Sequence, residues 1–424
     1  MSRSDNNDSN TKKTTNKQMN PTYGMAGQAG GGGGRGRGRG SGRGGAHSYS
    51  HRPSSMPVQN NPQVIGAPVQ HFGQPHPNVP SRKPPLQIAE NVGFIREMLL
   101  NVPRISQAPC TLSAFVIGGI PPDIQVYTAD ESGNLREFSF SETEKRWKQS
   151  NSASFQGRKI TALLSANMWL FVGIVYPGEG NQLFGMIKAI NLQNTKTFDI
   201  PAHTISIKCL EVGIDMLLSG GGDGRIKAWK FSNDTEGWKF VGEFNGDVGA
   251  HQGEITNLNT KSPFFLISSS NSGELKAWKL SDGTLVAGTQ AHHGSVIGLD
   301  FIPESYIVTC GQDYQNFIIK VWSITTNVIT QIHEINPSPG RNIALTTIRV
   351  IPVNGQQQLY VGKVDGTVLV YHLVNPSQFD RLGFVKGHSR SAPVVSIKYV
   401  ELANKLCVVT MDGLVNWFAV VERK

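Results

Sequence analysis

Between Val126 and Val420 short apolar runs and polar turns follow one another in a pattern that recurs seven times. Each copy holds a hydrophobic run, a small or acidic residue, in most copies a Gly, then alternating residues and a closing aromatic or bulky apolar residue. The copies are VYTADESGNLREF, MLLSGGGDGRIKAW, FLISSSNSGELKAW, LYVGKVDGTVLVY and LCVVTMDGLVNWF, with a degraded one ending GMIKAI and a longer one, IVTCGQDYQNFIIKVW. The apolar run reads as a buried strand. Asp-Gly or Ser-Gly supplies a turn whose backbone needs positive φ, and the alternation after it reads as a second strand. Each copy therefore predicts a hairpin.

The closing residues are Phe138, Ile190, Trp229, Trp278, Trp322, Tyr371 and Phe418, spaced 52, 39, 49, 44, 49 and 47 residues apart. That spacing is close to the roughly 40–45 residues of a four-stranded blade with loop insertions. One blade cannot bury both faces of its sheet, whereas blades packed radially bury one another's. The expected fold is all-β, a seven-bladed propeller over residues 111–424, and function is expected on its rims and in the tail. After the last hairpin, ending WFAVVERK, a fourth strand for the seventh blade is still wanting. Residues 86–110 are expected to dock on or close the ring. Within them LQIAENVGFIREMLLN suits a short helix or a strand, and Phe94 to Ser106 is the candidate to complete the blade.

Charge separates the rest of the chain from the repeats. Residues 1–85 hold 11 basic and 2 acidic residues, leaving 29 of each for the remainder, so the whole net charge of +9 resides in the first segment. That segment is polar, then Gly-rich with an embedded RGRGRGSGRGG, then rich in Pro, Gln, His and Asn. It cannot bury enough apolar surface to offset its ordering entropy and is expected to be a disordered tail. The opening MSRSDNNDSNTKKTTNKQ lacks the apolar stretch of a signal peptide, and no window approaches the roughly 18 apolar residues of a membrane span. An intracellular protein, nuclear or nucleocytoplasmic, is expected. Cys110, Cys209, Cys310 and Cys407 are too scattered for a zinc cluster or a disulfide framework and read as small core residues.

Within the repeats, His203, Ser219, Asp223 and Trp229 are spaced like the set found once per blade in WD-repeat propellers, and the chain is identified as resembling that family. The spacing recurs in His292, Thr309, Asp313 and Trp322. The copy with His251, Ser268 and Trp278 has Ser272 where Asp is expected, and the last two copies keep only Asp365 with Tyr371 and His388 with Asp412. The resemblance implies a hydrogen-bonded set within each blade, in which buried imidazole, hydroxyl, carboxylate and indole satisfy one another. Their recurrence blade by blade speaks against a catalytic triad.

The stretches WLFVG, IKAINLQN, LLSGGGDGRIKAWKF and LYVGKVDGTVLVYHL are more particularly similar to the propeller of plant proteins that join a CCCH zinc finger to WD repeats, over Ile160 to Trp417. That family implies zinc, and RNA or DNA binding in the nucleus. The finger needs three thiolates close together, and no cysteine precedes Cys110, so zinc is not carried over. Substrate receptors of cullin-type ubiquitin ligases carry an Arg two residues after the repeat Trp. No copy has it, the Trp residues being followed by Lys230, Lys279 and Ser323.

The chemistry left for function is sparse. Arg35, Arg37, Arg39 and Arg43, spaced by Gly and Ser, resemble the RG-rich arms of RNA-binding proteins. Guanidinium groups grip phosphate bidentately and stack on bases, so RNA or ribonucleoprotein is the expected partner. Four contacts to a single strand give a salt slope no steeper than about −3, an auxiliary grip. His47, His51, His71 and His76 read as solvated histidines, and Arg341 and Arg390 as loop charges able to meet an acidic partner. GGGGRGRG lacks the Lys-Ser/Thr of a phosphate loop. The expected function is a non-enzymatic scaffold binding proteins on its rims, without metal or cofactor. Its rivals are a propeller hydrolase with a channel-mouth site and an assembly module with an inert tail.

Overall fold

In the computed structural model, residues 89–90, 94–101, 112–118 and 124–420 are described, the last range apart from a few short stretches. Residues 1–85, with Arg35, Arg37, Arg39, Arg43 and the four tail histidines, lie outside the described residues, as do Cys110, His388 and Arg390.

The recurring apolar alternation resolves into seven sheets, those of blades 1 to 5 antiparallel and built from strands consecutive in sequence. Blade 1 comprises 112–118, 125–130, 134–141 and 146–154, and blade 2 comprises 160–166, 169–177, 183–191 and 197–203. Blade 3 holds 207–213, 216–221, 226–232 and 237–243. Blade 4 holds 255–259, 265–270, 274–279 and 285–290. Blade 5 spans 296–302, 306–313, 316–325 and 328–335, and blade 6 spans 345–353, 356–363, 367–375 and 378–386. Blade 7 takes 394–400, 405–410 and 414–420 from the C-terminal side. Its fourth strand is Phe94–Asn101, antiparallel to Leu414–Val420 with Phe94 opposite Val420 and Asn101 opposite Leu414. The lead-in is thus extended rather than helical there, because an open sheet edge offers its backbone a full ladder of partners. Ala89–Glu90 adds a short parallel strand to blade 6.

The first strands of neighbouring blades contact one another in an unbroken circuit, with the blade 7 strand returning to that of blade 1. One hydrophobic cluster fills each seam between adjacent blades. The closing residues are the large anchors: Phe138, Trp278 and Phe418 are 2% exposed or less, and each of the seven pairs across to an apolar residue of the strand before it. Deleting a buried side chain of this size typically costs about 3–5 kcal/mol. Where the circle closes, Trp147 of blade 1 stacks on Trp417 of blade 7 with ring centroids 5.3 Å apart. Cys310 and Cys407 are buried, and burial pushes the Cys310 thiol up to about 12. Among the described residues no helix is long and apolar enough to cross a membrane.

In blades 1, 3, 4, 6 and 7 the turns between second and third strands follow one plan. Gly133, Gly224, Gly273, Gly366 and Gly413 each have φ between 73° and 90° and donate N–H to the carbonyl three residues earlier. That is a tight turn closed by a left-handed residue, which only glycine adopts without strain. Gly273 is further constrained by space, because a Cβ there would lie 2.0 Å from the carbonyl oxygen of His292.

Candidate functional site

Blades 3, 4 and 5 each carry a buried polar chain. In blade 3 the Trp229 indole N–H reaches Ser219 Oγ at 3.0 Å, Ser219 Oγ lies 2.8 Å from His203 Nε2, and His203 Nδ1 lies 3.0 Å from Asp223 Oδ1. With Nδ1–H directed at the carboxylate, Nε2 accepts from the hydroxyl and the hydroxyl accepts from the indole, leaving no donor unused. Burial opposes the charge on Asp223, yet the His203 hydrogen bond and the Arg225 and Thr204 amides bring its carboxyl down to about 2. In blade 5, Trp322 Nε1 and His292 Nε2 each lie 2.9 Å from Thr309 Oγ1, and His292 Nδ1 lies 3.1 Å from Asp313. Burial, partly offset by Asp313, pushes His292 down to about 4.

Blade 4 assembles the same chain with a different acid. Trp278 Nε1 lies 2.7 Å and His251 Nε2 2.6 Å from Ser268 Oγ, while the place of Asp is filled by Glu274, 3.3 Å from His251 Nδ1. Ser272, at the expected Asp position, donates its hydroxyl to the same carboxylate at 3.0 Å. The longer Glu side chain, two residues onward, reaches the imidazole that a Ser cannot hold, and sequence spacing alone did not single it out.

Blades 1, 6 and 7 diverge. Asp130 of blade 1 forms a buried ion pair with Arg136 at 2.9 Å, and Asp365 of blade 6 pairs with Lys363 at 2.9 Å. Asp412 of blade 7 accepts from Thr410 Oγ1 at 2.6 Å. Arg341 is exposed in the crossover from blade 5 to blade 6. Among the described residues no three or more His, Cys, Asp or Glu side chains converge at metal-ligand distance.

A second constellation emerges where the first strands meet. Each first strand carries a bulge at the same register, and two residues beyond it stand, from blade 1 to blade 7, Val116, Leu164, Glu211, Asn259, Asp300, Arg349 and Lys398. The last five line a cavity of about 960 Å³ at the face carrying the turns between first and second strands. Asp300 is fully buried and committed to the scaffold. Its Oδ1 accepts from Asn259 Nδ2 at 3.0 Å and Phe301 N at 2.9 Å, and its Oδ2 from Val350 N at 2.9 Å, so one carboxylate ties blades 4, 5 and 6 together. No sequence motif marks these residues. Aligning the first strands blade by blade, rather than the hairpins after them, is the signal that finds them.

The circuit of first strands, the seven sheets and the filled seams define a seven-bladed β-propeller. No family model matches the chain. It is 31% identical over 102 residues to zinc finger CCCH domain-containing protein 17 of Oryza sativa subsp. japonica, a match covering 24% of this chain and only 20% of that protein. Among solved structures it is similar to the computationally designed Ika8 protein, with a TM-score of 0.51, 16% identity, and coverage of 74% of this chain and 97% of that one. That likeness concerns the fold alone.

Proposed function

We propose that the protein is a WD-repeat, non-enzymatic interaction scaffold whose propeller binds other proteins and whose RG-rich tail associates with RNA or ribonucleoprotein, in the nucleus or shuttling to it. The observation that carries the scaffold reading is the surface of the ring. Hairpin tips on successive blades expose large apolar side chains, Met168 at 41%, Ile214 at 68% and Phe264 at 71%. Apolar side chains grouped on one face of a soluble fold mark contact with another macromolecule.

The His-hydroxyl-Trp chains of blades 3 to 5 support membership among WD-repeat propellers. The RNA reading rests on Arg35, Arg37, Arg39 and Arg43. Recovery of ultraviolet-crosslinked cellular RNA on the intact chain, compared with a chain beginning at Leu86, tests it. A large loss on truncation is expected. Equal recovery from both would move RNA contact to the propeller, and none from either would leave a protein-only scaffold.

A further inference from the structure

We propose that the cavity ringed by the first strands is a peptide-docking site, selective for a partner segment in which an acidic residue neighbours a bulky apolar one, with Arg349 receiving the carboxylate. The inference rests on the scaffold reading and adds to it a face, an anchor and a ligand chemistry.

Arg349 is a cation without a carboxylate partner among the described residues. It is half-buried beside Val350, whose amide holds Asp300. Its contacts are long ones from Nη1, to the carbonyls of Ile348 at 3.3 Å and Leu299 at 3.5 Å. The neighbouring Asp300 is held by donors from blades 4, 5 and 6 and forms no ion pair with Arg349. A guanidinium presents a planar fork suited to bidentate carboxylate binding, and two such bonds in a partly enclosed site are stronger and more selective than one at an open surface.

The walls specify the remainder of the ligand. Phe264, Ile302, Ile351 and Tyr399 line the same cavity, giving an apolar surface next to the fork. The two cations of the lining, Arg349 and Lys398, are neighbours in the register ring on blades 6 and 7, while its further carboxylates, Glu211 and Glu401, lie on blades 3 and 7. The adjacent cations draw a ligand carboxylate to themselves, which sets the direction of the bound segment.

The extent of the surface favours a peptide over a small carboxylate. Apolar side chains continue beyond the cavity onto the turn tips of blades 2, 3 and 4 through Met168, Ile214 and Phe264. Ile214 is held at φ 55°, a left-handed conformation costly for a β-branched residue, and it is exposed rather than packed.

The test is selection of random twelve-residue peptides displayed on phage against the full chain, followed by fluorescence anisotropy of the recovered peptides. Recovered sequences should place Asp or Glu close to Leu, Ile, Phe or Trp. Arg349→Met and Phe264→Ser should each weaken binding at least about tenfold, and Arg349→Lys, which keeps charge without the fork, should weaken it less. Tyr314→Ser, on the opposite face, should leave it unchanged, and all four variants should keep the unfolding midpoint of the parent. Peptides without a shared carboxylate, or binding indifferent to Arg349 and Phe264, would overturn the site. If such peptides instead depended on Tyr314, the scaffold reading would stand and only the face would be wrong. Recovery of no peptide at all would count against both.

Discussion

Blades 3 to 5 and blades 1, 6 and 7 solve the same packing problem by different chemistry. The first group runs a hydrogen-bonded chain from indole through hydroxyl to imidazole to carboxylate, tying a crossover to two strands of the blade it enters. The second places Phe138, Tyr371 or Phe418 where the indole would be, and its turn carboxylates pair locally with Arg136, Lys363 or Thr410. The seams are filled with apolar side chains in both groups. The fold therefore depends on apolar closure everywhere and on the polar chain only in part. The polar chain stiffens a blade, but it carries a liability, since removing one member strands the others.

The largest expected effect lies in that asymmetry. His292→Ala should destabilise the chain by about 3 kcal/mol, combining a cavity with an orphaned Thr309 hydroxyl. Tyr371→Phe in blade 6 should cost under about 1 kcal/mol. Urea unfolding of the two variants checks this, and equal losses would erase the distinction between the groups.

Acidification should act on the same three blades. His292 titrates at about 4 in the folded chain against about 6.5 when unfolded. The unfolded state thus binds the extra proton first, and stability falls as pH drops from about 6.5 towards 4, by up to about 3 kcal/mol. Asp223, lowered to about 2, adds stability that is present above about pH 4 and disappears as pH falls through 2. Unfolding midpoints measured across that range should steepen this way in the parent. They should flatten between 6.5 and 4 in His292→Gln, whereas an unchanged profile in that variant would remove His292 as the cause.

Smaller effects sharpen the comparison at the turns. Gly273→Ala forces a Cβ against the His292 carbonyl and into a strained φ, and should cost about 2 kcal/mol or more. Ile214→Gly should do the reverse, gaining about 1 kcal/mol by relieving a left-handed Ile at an exposed tip. Thermal midpoints of the two variants moving in opposite directions are the expected result. A loss from Ile214→Gly would mean that the tip is packed rather than strained.

The repeat of apolar run, turn and closing aromatic was enough to define strands, hairpins and blade number, because those depend on residues near one another in sequence and on a period that many copies average. The His, hydroxyl and Trp positions were legible for the same reason. Three things required the folded chain. Glu274 stands in for a missing Asp because side-chain reach, not spacing, decides which carboxylate meets an imidazole. Phe94–Asn101, within the segment the sequence named to complete the seventh blade, is decided as strand rather than helix because Leu414–Val420, more than three hundred residues later, presents an edge to it. The ring of Glu211, Asn259, Asp300, Arg349 and Lys398 exists only once the blades stand side by side. A residue's neighbours across the channel come from other blades, and nothing local in the sequence records which charge will be neutralised there and which will be left to meet a ligand.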